Sequence, residues 1–199
     1  SLLLMTGVPG AGKTLAGLRL AHGLRAKPED ASSVYMSGNG PLLKVLRAAL
    51  ASDYAERQKV TRAKAKAYSE AQIHSVHAFL HEVSKSEAPP SEQIVIFDEA
   101  QRAWDATKME KMAARARVAS LQSSDESTVI AYSEPWQILA ALDRHHEGAV
   151  VVALCGNGQE IHDGEAGVAE WFVARAEGFP HWEIVCSETA AELGQVADR

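Results

Sequence analysis

With 199 residues, 46% hydrophobic and 23% charged, the chain has an ordinary globular composition and is long enough for one large domain or two small ones. A net charge of −6 argues against a generally basic protein that coats nucleic acid, while leaving room for a local basic groove. No apolar run approaches the roughly 20 residues of a membrane span, so no membrane partner is expected, and the two cysteines, Cys155 and Cys186, sit in apolar runs without metal-type spacing, as expected of buried thiols in a reducing cytoplasm.

The chain opens on Leu2 to Met5, a short apolar run read as a core strand, which suggests a piece of a longer protein. Gly7, Gly12, Lys13 and Thr14 then match the pattern G-x-x-x-x-G-K-[ST], with Val8, Pro9, Gly10 and Ala11 between the glycines. Such a loop turns backbone N–H groups towards one centre, and the N-terminus of the following helix adds positive potential there. This predicts a triphosphate site, with Lys13 reaching the β- and γ-phosphates and the Thr14 hydroxyl on Mg²⁺. A helix is expected from Lys13 to about Leu24, with Leu15, Leu18, Leu20, Ala21 and Leu24 as its apolar face and Lys27 to Asp30 ending it.

Ser32 to Gly38 reads as a second strand. Gly38-Asn39-Gly40-Pro41 turns from it into the helix PLLKVLRAALA, and this turn either holds a phosphate at the helix N-terminus or is a plain connection. Ser52 to Gln72 is polar and helical in propensity. Arg57, Lys59, Arg62, Lys64 and Lys66 crowd cations there, to meet a nucleic-acid backbone or to form a solvated helix face. Ile73 to Val83 reads as one amphipathic helix, with Val76, Phe79, Leu80 and Val83 inward and His77 and Phe79 able to meet a base or sugar, Phe79 by stacking.

Gln93 to Phe97 is an almost continuous apolar run, as in a strand buried on both faces of a parallel sheet, and it ends on Asp98-Glu99. Carboxylates at the C-terminal end of such a strand lie where open α/β sheets bind ligands. Asp98 suits a Mg²⁺-holding role and Glu99 a general base for the attacking water. Helices are expected over Trp104 to Arg117 and WQILAALDRHH, with a mobile loop over Ser120 to Thr128 between them. Ala149 to Cys155 reads as another buried strand, followed by a glycine-rich turn. In that turn Gln159 either senses a γ-phosphate from the strand end or faces water. Glu165 to Ala176 is amphipathic, and His181 to Ser187 reads as a last strand before a short helical or frayed tail. Five strands alternating with helices predict a three-layer α/β/α domain with a mainly parallel sheet and the reactive residues at strand C-termini.

The series GVPGAGKT, SGNGPLLKVLRAAL, SVHAF, VIFDEAQRAWD, SEPWQILAALDRH and LCGNGQEIHDGEAGVAEW resembles the Schlafen group 3-like DNA/RNA helicase domain family, within the superfamily 1 helicases, over almost the whole chain. The resemblance implies a RecA-like P-loop NTPase domain that binds ATP and Mg²⁺ and acts on single-stranded DNA or RNA. It implies that Gly7 to Thr14 is motif I, and that Ser37 to Pro41 is motif Ia, bringing Ser37, Gly38 and Asn39 to the nucleic-acid backbone. Ser75, His77 and Phe79 resemble the T-x-H-x-F motif on the single-strand path. Asp98, Glu99 and Gln101 resemble motif II, with Gln101 beside the nucleotide, and Gln159 resembles the motif III glutamine that couples the γ-phosphate to the strand. The family also implies that the Cys155 strand lies between the phosphate-loop strand and the Asp98 strand. Asn157 stands where an Asp is usual in superfamily 1. The whole chain is expected to be the first RecA-like domain, with the second motor domain and its arginine finger outside it. A finger of this kind is worth about 10³–10⁵ in rate in related phosphoryl-transfer sites, so the chain alone is expected to hydrolyse ATP slowly. The alternative is an ATP-gated switch in a nuclease or defence assembly, without unwinding.

Overall fold

The computed structural model describes residues 1–24, 32–120, 132–156, 165, 167–188, 190 and 191, the side chains of 115–120 excepted. Among these residues, six strands form one sheet. They are β1 (Leu2–Gly7), β2 (Ser33–Ser37), β3 (Ile73–Ser75), β4 (Ile94–Asp98), β5 (Val150–Gly156) and β6 (Ile184–Cys186), in the order β3-β2-β4-β5-β1-β6. Every neighbouring pair is parallel, so the sheet is parallel throughout. The order puts β5 between β1 and β4, as the family resemblance implies.

Side chains alternate along each strand, which divides the core into two layers. Val34, Met36, Val95, Phe97, Val151, Ala153 and Cys155 face one layer, covered by α4 (Val76–Val83), α6 (Glu134–Leu142) and α7 (Ala169–Gly178). Tyr35, Ile96, Val152 and Leu154 face the other, covered by α1 (Lys13–Leu24) and α2 (Gly40–Gln58). Because both faces are covered, β4 and β5 read as continuous apolar runs.

Several boundaries differ from the sequence expectation, each for a local reason. The apolar face of α1 is narrower than its leucines suggest: Gly17 and Ala21 are buried, while Leu15 and Leu20 are 55% and 37% exposed. A Cβ on Gly17 would lie 2.6 Å from Leu154 Cδ1 and 3.0 Å from Ile96 Cγ2, so α1 rests on the sheet through its small residues. The polar stretch after Ser52 forms two helices. Lys59, in the left-handed conformation at φ 51°, ends α2, and Thr61 caps α3 (Arg62–Gln72) by accepting from Lys64 N–H.

Ile73–Ser75 is a strand and not the start of a helix. It pairs with Tyr35–Ser37 of β2, and α4 begins only at Val76. After β4 the chain makes a short 3₁₀ turn (Ala100–Arg102) before α5 (Ala106–Ser120). Trp171 of α7 is fully buried and its Nε1–H donates to Ala100 O at 3.0 Å, tying this turn to the core. Cys155 is buried as expected, whereas Cys186 on the edge strand β6 is only partly so. Among the described residues, no helix is long and apolar enough to cross a membrane. Of the loop expected over Ser120 to Thr128, Ser120 belongs to α5 and the rest lies outside the described residues, as do the helix end expected at Lys27 to Asp30 and the stretch with Gln159.

Candidate nucleotide site at the strand C-termini

The parallel order brings the ends of β1, β5, β4 and β2 to one edge. Gly7 is level with Gly156, and Asp98 lies between Leu154 of β5 and Ser37 of β2. The glycine loop opens here. Gly10 and Gly12 have φ of 80° and 84°, a backbone region that L side chains rarely adopt, and a Cβ on either would meet nothing within 4 Å. The loop is therefore unobstructed at these two positions. Lys13 Nζ folds over it, donating to Gly7 O at 2.7 Å and Val8 O at 3.1 Å.

Thr14, in the first turn of α1, donates its hydroxyl to Asp98 Oδ2 at 2.7 Å. Asp98 is 1% exposed, and three donors hold it: Thr14 and the Tyr35 hydroxyl on Oδ2, and Glu99 N–H on Oδ1 at 3.1 Å. Burial first, and the hydrogen bond to Asp98 second, push the Tyr35 phenol well above its ordinary pKa, so it stays a protonated donor. Hydroxyl and carboxylate oxygens in contact beside a glycine loop are the donor set a hard divalent cation takes, and these residues fit Mg²⁺.

Glu99 adopts φ 56°, ψ 41°, a left-handed conformation unusual for a residue with a side chain. Its Oε2 accepts from Gln101 Nε2 at 2.7 Å, and Arg102 Nε lies 3.7 Å away. Gln101 is buried, and its Oε1 accepts Gly156 N–H at 2.9 Å. Gln101, expected beside the nucleotide, joins Glu99 to the end of β5 in this structure. On that strand the Cys155 thiol is buried and pushed up to about 12, by burial first and then by the Glu99 charge, which rules it out as a nucleophile near neutral pH.

The residues expected on a nucleic-acid path are split. Gly38 and Asn39 are exposed, with Asn39 Oδ1 capping α2 by accepting from Leu42 N–H at 3.1 Å. His77 is 41% exposed on its side chain, and its ring lies 4.1 Å from that of Trp104. Two expectations are corrected. Phe79 is 3% exposed, packed into the core on the inward face of α4, so its ring has no face for a base. Ser37 is fully buried, and its oxygen accepts Asn39 N–H at 3.1 Å, shaping the turn from below. The basic residues from Arg57 to Lys66 lie around the α2–α3 turn, about 28 Å along α2 from Asn39. Arg57 there pairs with Asp53, and Lys66 with Glu70, as on a solvated helix face. Gln159 and Asn157 lie outside the described residues.

Three residues at this edge are given no role by the sequence reading. Tyr35 looked like strand filling. Trp104 looked like the start of a helix. Glu134 looked like an ordinary acidic residue in a helix first turn, yet it is 1% exposed, accepting Trp104 N–H on Oε2 at 2.9 Å and pairing with His77 Nδ1 through Oε1 at 3.0 Å. A cleft of about 290 Å³ opens between the Gly38–Asn39 turn, Glu99, Arg102, Trp104 and Glu134. A larger hollow of about 890 Å³ lies at the opposite edge, lined by Ser1, Ile94 and Val150 at the strand N-termini, away from the glycine loop and the acidic pair.

The family model described as "Schlafen group 3, DNA/RNA helicase domain" matches residues 1–195. No curated protein is matched. Among solved structures, the chain is similar to the Hef helicase domain of Pyrococcus furiosus, with a TM-score of 0.47 and 14% identity. The match covers 94% of this chain and 34% of that one, so the chain spans about a third of that structure's length.

Proposed function

As the chain belongs to the Schlafen group 3 DNA/RNA helicase domain family, we propose that it is the first RecA-like half of a motor that binds and hydrolyses ATP and moves on single-stranded DNA or RNA. The observation that carries this reading is the 2.7 Å contact between Thr14 and Asp98, which brings the glycine loop and the acidic pair to one edge of the sheet.

Each residue then has a part. The loop N–H groups and Lys13 receive the β- and γ-phosphates, Lys13 exchanging its bonds to Gly7 O and Val8 O for charge-assisted bonds to phosphate oxygens. Thr14 and Asp98 hold Mg²⁺, which when bound neutralises charge on the β- and γ-phosphate oxygens. Glu99 accepts the proton of the attacking water, and the products are ADP and inorganic phosphate. Gln101 orients Glu99, and through Gly156 it ties that orientation to the end of β5. Gly38, Asn39 and His77 meet the polynucleotide backbone. A second RecA-like domain closes on the exposed side of the loop, where Val8 is 64% and Leu15 55% exposed, and brings an arginine worth about 10³–10⁵ in rate.

The test is titration of a fluorescent ATP analogue with Mg²⁺ into the wild type and Lys13→Ala, together with ATPase assays of the full-length protein with and without single-stranded DNA or RNA. The expected result is loss of binding in Lys13→Ala and faster hydrolysis with polynucleotide. Equal nucleotide affinity in both proteins overturns the reading. Nucleotide binding that alters affinity for a protein partner, without unwinding or stimulation by polynucleotide, turns the assignment to an ATP-gated switch.

A further inference from the structure

Tyr35 belongs to none of the motifs that the ATP reading uses, yet its hydroxyl bonds the carboxylate assigned to Mg²⁺. Its placement follows from strand register. Tyr35 is level with Ile96 on β4, two residues before Asp98. Those two residues advance about 6.6 Å along the strand and return to the same face of the sheet. A phenol lying along that face therefore carries its oxygen to the level of the Asp98 carboxylate.

The ring has little freedom to do anything else. Tyr35 is 0% exposed, and α1 lies against it: a Cβ on Gly17 would come 3.5 Å from Tyr35 Cε2. A phenol oxygen buried this deeply needs a hydrogen-bond partner, and Phe would fill the same space without that requirement. Both hydroxyl protons, from Tyr35 and from Thr14, go to Asp98 Oδ2, while Glu99 N–H goes to Oδ1. The carboxylate is thus held at both ends. With its proton spent on Asp98, the Thr14 oxygen keeps its lone pairs for a cation.

We infer that Tyr35 is a positioning residue for the divalent-cation half of the nucleotide site, holding Asp98 turned towards Thr14. It sets the affinity for the cation and leaves the grip of the loop on the phosphates alone. The inference rests on the ATP·Mg²⁺ reading above and assigns one further residue to it.

The experiment compares wild type, Tyr35→Phe and Asp98→Asn. A fluorescent ATP analogue is bound first in EDTA and then across a Mg²⁺ titration. The expected result is unchanged affinity in EDTA for Tyr35→Phe and a Mg²⁺ midpoint raised about tenfold, the worth of one hydrogen bond to a charged group. Asp98→Asn is expected to raise the midpoint further. The rise in melting temperature from ATP with EDTA to ATP with Mg²⁺, read within each protein, gives the same comparison when baseline stabilities differ. A Tyr35→Phe midpoint equal to wild type, or an equal loss of affinity in EDTA, overturns the inference and leaves a phenol that only fills the core. A wild type that gains nothing from Mg²⁺ overturns the ATP·Mg²⁺ reading, and the inference with it.

Discussion

Gln101 holds Glu99: its Nε2 donates to Glu99 Oε2 at 2.7 Å, while its Oε1 takes the Gly156 N–H at 2.9 Å. One buried amide therefore spans two strand ends and orients the proposed base. Gln101→Ala removes both bonds and strands a buried N–H on β5, a loss of about 1–3 kcal/mol. We expect a lower unfolding midpoint and a fall in kcat larger than any rise in KM, because the nucleotide-holding groups are untouched. Denaturant melts and steady-state ATPase assays of the full-length protein check this, and a variant with wild-type kcat would remove Gln101 from the catalytic arrangement.

Two glycines of α1 give opposite predictions. A Cβ at Gly17 would sit 2.6 Å from Leu154 Cδ1, whereas one at Gly23 meets nothing within 4 Å. Gly17→Ala overpacks the interface between α1 and the sheet, at a cost of about 1–3 kcal/mol. It also lifts Lys13 and Thr14, on the same helix, away from Asp98, so nucleotide affinity is expected to fall with stability. Gly23→Ala only removes backbone freedom near the helix end and is expected to stabilise by about 0.5–1 kcal/mol with affinity unchanged. Urea unfolding and nucleotide titration of both variants separate the two outcomes.

What the sequence revealed and what it hid divide along physical lines. The glycine loop was legible because its chemistry demands particular residues at particular spacings. So were β4 and β5, since burial on both faces leaves unbroken apolar runs such as QIVIF and AVVVALC. Ile73–Ser75 was hidden because three residues carry no period, and their strand character comes from pairing with β2. The inward face of α4 was legible in its spacing, with Val76, Phe79 and Leu80 buried, but how completely the core closes over Phe79 was not, because burial depends on the partners packed against that face. Tyr35 and Glu134 were illegible for another reason. A buried phenol and an acidic residue in a helix first turn are common, and only their partners, Asp98 for one and Trp104 with His77 for the other, set them apart.

His77 and Phe79, two residues apart, are expected to fail in different ways. Phe79 is core, so Phe79→Ala costs about 3–5 kcal/mol and shows as unfolding. His77 is half-exposed, so His77→Ala is expected to stay folded while weakening polynucleotide binding. Removing the ring also uncovers the buried Glu134 carboxylate, 3.0 Å from His77 Nδ1, and His77→Asn, which keeps a polar group there, separates that contribution. Fluorescence anisotropy with labelled single-stranded DNA and RNA, run beside thermal melts, makes the distinction. A folded His77→Ala with wild-type affinity would take His77 off the strand path.

The two thiols are expected to differ in reactivity. Cys155 is buried with its pKa pushed up to about 12, and Cys186 is partly accessible on β6. At pH 8 a native sample should show one thiol reacting readily with an aromatic disulfide reagent and a second appearing only on denaturation; a Cys186→Ser variant identifies the first. The same shift gives a pH dependence of stability. In the unfolded chain Cys155 loses its proton near pH 8.5, while in the folded protein it keeps it until about 12. Unfolding therefore releases a proton between those values, so the contribution of Cys155 to stability is fully present below about pH 8.5 and declines as the pH rises towards 12. Cys155→Ala removes that slope, at the cost of a small cavity beside Gly156. Urea midpoints of wild type and Cys155→Ala between pH 7 and pH 10 should converge as the pH rises, and parallel curves would show that the thiol is not shifted.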